Sequence, residues 1–89
     1  MHSIILVDDH PLLRKGLART IEKEADLHVV GQMDSAEETL GTIEDLAPDL
    51  AVVDISLPGM SGMELIKHLQ SRMPEVQILV VSRHDETLY

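Results

Sequence analysis

The sequence predicts an α/β domain built on a parallel sheet, and three observations support that class. Short β-branched apolar runs alternate with amphipathic helical stretches along the whole chain. The connections between them are brief. Two of the runs, Ile4 to Val7 and Leu50 to Val53, are apolar at every position, the pattern of strands buried on both faces. The resulting order is β-α-β-α-β-α-β. Right-handed crossovers turn such an order into a three-layer sandwich with helices on both faces of the sheet.

Each element has its own local signature. Ile4-Ile5-Leu6-Val7 forms the first strand and stops at Asp8-Asp9-His10-Pro11. Pro11 suits the first turn of a helix, where its missing N–H costs nothing. Leu13, Leu17 and Ile21 follow at four-residue spacing with Leu12 beside them, while Arg14, Lys15, Arg19, Glu22 and Lys23 take the other faces. That is an amphipathic helix to about residue 24, with Gly16 a mild weakness inside it. Leu27 to Gly31 reads as a second strand, less apolar, as suits an edge. Ser35-Ala36-Glu37-Glu38 reads as a capping box opening a second helix, with Ala36, Leu40, Ile43 and Ala47 on one face and Pro48 as its stop.

Leu50 to Val53 is the third strand, ending in Asp54 before the Pro58-Gly59 turn. Ser61-Gly62-Met63-Glu64 is another capping box, followed by Leu65, Ile66, Leu69 and Met73 at helical spacing and a stop at Pro74. Val76 to Val81 reads as a fourth, buried strand ending at Ser82, and Asp85 is placed to cap a further helix.

Composition removes several function classes. Sixteen acidic against seven basic residues give a net charge of −9, which repels phosphate backbones and makes this segment a poor nucleic-acid binder. Phe and Trp are absent and Tyr89 is the only aromatic, so base-stacking platforms are missing as well. Without cysteine there is neither a disulfide framework nor a thiolate metal site. No run approaches a membrane span and no basic-then-apolar leader opens the chain, so a cytoplasmic protein is expected. Neither glycine-rich phosphate loop of the common nucleotide-binding folds occurs. Eighty-nine residues make one domain at most.

The chemistry sits at the strand ends. Asp8 and Asp9 follow the first strand, Asp54 the third and Ser82 the fourth, and in a parallel sheet these ends share one edge. Taken alone, Asp54 reads equally as a turn aspartate, while for Asp8-Asp9 a mere helix start is the lesser alternative. Together they would bring three carboxylates into one crevice. Two unit charges about 4 Å apart repel by roughly 4 kcal/mol at an effective dielectric of 20. Such a cluster either shifts a carboxylate or holds a cation, and oxygen ligands with room for water suit Mg²⁺ better than zinc. His10 reads equally as a neighbour of that crevice and as filler at the helix start.

Three motifs, Ile4-Ile-Leu-Val-Asp-Asp-His-Pro11, Asp54-Ile-Ser-Leu-Pro-Gly-Met-Ser-Gly62 and Val80-Val-Ser-Arg-His-Asp85, carry a resemblance to the receiver domain of bacterial two-component response regulators. The His-Pro after the acidic pair and the Ser-x-His-Asp after the fourth strand most resemble the NarL/FixJ class, whose members carry a LuxR-type helix-turn-helix. The resemblance implies a flavodoxin-like three-layer sandwich with strand order 2-1-3-4 here. It also implies a signalling switch rather than an enzyme, phosphorylated by a sensor histidine kinase and controlling a DNA-binding transcriptional output domain that lies outside residues 1–89. Position by position, Asp54 matches the phosphoacceptor, Asp9 the direct Mg²⁺ ligand, and Asp8 the carboxylate acting through metal-bound water. Ser56 matches the position whose backbone carbonyl completes the metal site, and Ser82 the switch hydroxyl. Ser56 and His84 are expected to tune how long the acyl phosphate survives by admitting or blocking water, an effect readable in the dephosphorylation rate.

The family pattern continues with a fifth strand, further helices and a lysine that contacts the phosphoryl group, none of which has a counterpart here. The expectation is therefore a fragment, the N-terminal two thirds of a receiver domain. It would expose its fourth strand as an edge and self-associate there. Two other readings remain: a pseudo-receiver that binds proteins without phosphorylation, and an aspartate-nucleophile phosphatase, disfavoured because Ser56 stands where that chemistry wants an acid.

Overall fold

A computed structural model describes residues 2–82. Its elements are β1 (His2–Val7), α1 (Pro11–Glu22), β2 (Leu27–Met33), α2 (Ala36–Leu46), β3 (Leu50–Asp54), α3 (Gly62–Arg72) and β4 (Gln77–Val81). The strands form one parallel sheet in the order β2-β1-β3-β4. This is the expected order, with β1 and β3 at the centre. Asp85 and His84, assigned roles above, lie outside the described residues.

Alternation along the central strands divides the core between the two sheet faces. Ile5, Val7, Ala51 and Val53 face α2 and α3 with Ile43, Leu65, Leu69 and Met73. Ile4, Leu6 and Val52 face α1, where Ala18 is buried and Ile21 packs alongside. Both central strands are therefore covered on both sides, as their unbroken apolar runs require. β2 runs two residues further than expected, to Met33, and the β1–β2 register slips between Ile4 and Ile5, passing over Val30.

Several local expectations need correction. Of the stripe Leu13, Leu17 and Ile21 with Leu12, Ile21 packs on the core as expected, but Leu12, Leu13 and Leu17 are exposed, Leu12 to 88%. The helix is rotated so that Ala18 and Ile21, four and seven residues after Arg14, meet the sheet, and the small Ala18 permits the close approach. Leu12, Leu13 and Leu17 instead line an open groove of about 440 Å³ that reaches Val81. α1 also ends at Glu22 rather than near residue 24.

In α2, Ser35 Oγ accepts the Glu38 N–H, but the Glu38 carboxylate accepts from Asp34 N instead of Ser35 N, so only half a capping box forms. Thr39 is buried on that helix. Its hydroxyl donates to Ser35 O, whereas Ala47 is an exposed, left-handed C-cap (φ 43°). β4 is an edge among the described residues, which leaves Leu79 and Val80 half exposed instead of buried.

Two surface carboxylates tie the far ends of strands to their neighbours. The Val29 N–H, hydrogen-bonded to Glu22 at 2.7 Å, and then His28 hold the Glu22 carboxyl below its ordinary 4.5. The Ser3 N–H does the same for Asp49, whose ordinary value is 3.8. A group whose folded pKa is depressed stabilises the fold above its unfolded value and loses that contribution as pH falls through the folded value. Acid titration should therefore weaken the parent progressively below pH 4.5, and Glu22→Gln with Asp49→Asn should remove that part of the slope. Identical acid-unfolding curves for parent and double variant would contradict this. No helix among the described residues is long and apolar enough to cross a membrane.

Candidate functional site

The register of the central strands builds the site. Val7 pairs with Val53, so the next residues, Asp8 and Asp54, emerge side by side at the C-terminal edge of the sheet. Both are buried, Asp54 completely. Asp8 is fixed from three directions. Its N–H donates to Met33 O, its Oδ1 accepts the His10 N–H at 2.9 Å, and its carbonyl accepts Arg14 Nη1 at 2.6 Å. The bond from Asp8 Oδ1 to a backbone two residues on is an aspartate turn. Arg14 also reaches Gln32 of β2, so one guanidinium clamps the β1–α1 loop to the sheet.

Asp54 is held from its own loop. The Ser56 N–H and Ser56 Oγ both donate to Asp54 Oδ1, at 2.9 and 2.8 Å. These bonds fix the orientation of the carboxylate. Beyond it, Leu57 is buried, Gly59 turns the chain at φ +70°, and Glu37 Oε2 accepts the Met60 N–H from across the interface with α2. α3 then starts on a complete capping box between Ser61 and Glu64. Gly62 lets that helix start sit directly on the strand end. A Cβ there would come within 2.6 Å of Asp54 O and 2.7 Å of Ile55 Cα. On the other side, Val81 pairs with Asp54 and its carbonyl accepts the Ile55 N–H, which sets Ser82 just past the same edge.

One ligand atom each from Asp8, Asp9, His10 and Asp54 lie within 4.8 Å of one another. The three carboxylates singled out in the sequence are thus brought together. His10 joins them as a fourth member that the sequence left ambiguous. His2, His28 and His68 are exposed; His28 pairs with Glu22 and His2 with Asp49. Lys15, Lys23 and Lys67 are exposed, away from the sheet edge in sequence and on or beside helices. A hard, carboxylate-rich donor set of this size fits Mg²⁺.

The family model for the response regulator receiver domain matches residues 4–89. The chain belongs to that family. Among curated relatives, the nitrate/nitrite response regulator protein NarL of Escherichia coli is 38% identical over 86 residues, covering 94% of this chain but 40% of that protein. Among solved structures, a LuxR-family two-component response regulator from Aurantimonas superposes with a TM-score of 0.89 at 34% identity, covering 94% of this chain and 60% of that one. RcsB from Salmonella enterica serovar Typhimurium, bound to a promoter in the presence of the phosphomimetic BeF₃⁻, gives 0.87 at 25% identity, with 94% and 42% covered. This chain thus spans about two fifths of the length of such curated relatives. The receiver fold, the strand order and the kinship with NarL-type transcriptional regulators all agree with the expectations from sequence.

Proposed function

We propose that the chain is a phosphoacceptor receiver domain in which Asp54 takes a phosphoryl group from a sensor histidine kinase. The observation that carries this reading is a fully buried Asp54 at the end of a central strand, with Asp8 and Asp9 within ligand distance of it. A carboxylate oxygen of Asp54 attacks phosphorus, an O–P bond forms, and the bond from phosphorus to the donor imidazole nitrogen breaks as that nitrogen takes up a proton. The product is an acyl phosphate. Asp8, Asp9, Asp54 and the Ser56 backbone carbonyl would hold Mg²⁺, which when bound neutralises the crowded anions and the charge on the transferring group.

The residues of the chain itself do the positioning. Ser56 orients the nucleophilic carboxylate, the Arg14 clamp fixes Asp8, and burial excludes bulk water from Asp54. Ser82, at the strand end paired with Asp54, donates its hydroxyl to the phosphoryl group, and that movement biases the adjoining loop. The role of the whole protein is to switch a DNA-binding transcriptional output domain in the cytoplasm, a reading supported by the NarL and RcsB relatives. The chain is a signalling switch, with self-phosphorylation and self-dephosphorylation as its only chemistry.

Intact-mass measurement after treatment with a small phosphodonor and Mg²⁺ tests the reading. The parent should gain one phosphoryl group and Asp54→Asn none. No gain in the parent would favour a protein-binding pseudo-receiver, and turnover of added phosphoesters a phosphatase. The receiver reading also carries an association surface: β4, an edge among the described residues with Leu79 and Val80 half exposed, is placed to pair with a second copy. Sedimentation equilibrium should show mass rising above the monomer with concentration. A monomer throughout would remove that part.

A further inference from the structure

α1 carries a basic stripe on a strongly acidic chain. Arg14, Lys15, Arg19 and Lys23 are four of the seven Lys and Arg residues of a molecule with net charge −9. Arg14 is committed to Asp8 and Gln32. Lys15, Arg19 and Lys23 stand about one helical turn apart and span about 12 Å. The C-cap Lys23 keeps helical geometry, so the stripe is continuous. All three are exposed, and among the described residues none of them forms an ion pair. They border an open groove of about 760 Å³ between α1 and β2, with Leu12, Ala18 and Val29 as its apolar lining. Glu22, the carboxylate at this groove, is engaged by the Val29 N–H and by His28. We infer that the groove is a docking site for an acidic amphipathic helix of a partner protein.

Charge and geometry select that partner. Carboxylates four residues apart on a partner helix repeat at the same step as the three cations. An adjoining apolar stripe would cover Leu12, which is 88% exposed, and the half-buried Val29. The Debye length at physiological salt is about 8 Å, so a short acidic segment lying along the stripe feels mainly these cations. A nucleic acid or an anionic membrane extends past the groove and meets the acidic remainder of the surface. The groove also leads away from the carboxylate crevice. α1 begins beside Asp8 at one edge of the sheet and hands over to β2, whose first residue Leu27 pairs with His2 at the opposite edge. Docking here involves none of Asp8, Asp9 and Asp54, and stands or falls apart from the phosphotransfer reading.

An NMR titration of the ¹⁵N-labelled chain, with no phosphodonor present, tests the inference. The probe is a peptide of about fifteen residues, long enough to hold a helix, built from leucine, alanine and glutamate with glutamate at every fourth position. Amides around Lys15, Arg19, Lys23 and Val29 should shift, and the same peptide with lysine in place of glutamate should shift none of them. Affinity should fall as salt is raised, and Lys15→Glu with Arg19→Glu should weaken it on the order of tenfold. Both substitutions replace exposed side chains, and the salt dependence of the parent stands without them. No shifts, equal shifts with the lysine peptide, or shifts confined to other surfaces would overturn the inference. Tighter binding at these residues of a single-stranded oligonucleotide or of phosphatidylglycerol vesicles would overturn it in favour of a nucleic acid or a membrane. Shifts at these residues that grow with the concentration of the chain alone would overturn it in favour of a second copy.

Discussion

Gly62→Ala should unfold at a distinctly lower temperature than the parent and bind divalent ions more weakly. A methyl at this position has no room, since backbone atoms of Asp54 and Ile55 stand within 2.7 Å of where it would sit. Backbone cannot yield as a flexible side chain can, so either α3 lifts off the strand or β3 bends at Asp54. Overpacking of this kind costs about 1–3 kcal/mol, and each kcal/mol moves the midpoint of a domain of this size by about 4–8 °C. Gly16 and Gly41 provide the contrast. Each lies inside a helix with nothing within 4 Å of an added Cβ, so Gly16→Ala and Gly41→Ala should each gain about 0.5–1 kcal/mol. Thermal melts of the three variants decide the matter. A Gly62→Ala midpoint at or above that of the parent would mean that α3 does not depend on its close seat at Asp54.

Mg²⁺ should raise the stability of the chain by binding only the folded state. A single site at a hundredfold excess over its Kd adds about 2.7 kcal/mol. The unfolded chain separates Asp8 and Asp9 from Asp54, which folding alone brings within 4.8 Å. Asp9→Asn or Asp54→Asn should abolish most of that rise. Each variant should also lose some carboxylate repulsion, and so melt closer to the Mg²⁺-loaded parent when no divalent ion is added. Midpoints followed across a Mg²⁺ titration read both effects. Equal Mg²⁺ stabilisation of the parent and Asp54→Asn would place the ion elsewhere.

The element order was legible because each strand is a short β-branched run closed by a polar residue or turn, and each helix has a cap or a proline at its start or end. Strand register then converts Asp8 and Asp54 from distant sequence positions into neighbours, so the carboxylate triad could be foreseen from topology. The buried side of α1 could not. Beside Ile21 its sequence offers either Leu13 and Leu17 or Ala18, and only the seat of the helix on β1 and β2 chooses between them. Hydrophobicity favours the leucines, but the small side chain wins where the helix approaches closely.

His10 was ambiguous for a related reason. The position after an acidic pair and before a proline is at once a helix cap and the rim of a strand-end crevice, and spacing does not tell these apart. The half-formed box at Ser35 shows the same limit at finer scale. Asp34, one residue outside the motif, competes through its N–H for the Glu38 carboxylate. Gly62 is legible only as part of a capping motif, and its tight seat against Asp54 follows from the packing of α3 on β3.

The central claim is that Asp54, and no other carboxylate of the site, accepts the phosphoryl group. Borohydride reduction after phosphodonor treatment converts an aspartyl phosphate to homoserine, and peptide mapping then locates it. Homoserine should appear at position 54 alone, requiring Mg²⁺ and absent from Asp54→Asn. Modification at Asp8 or Asp9 with position 54 unchanged would contradict it.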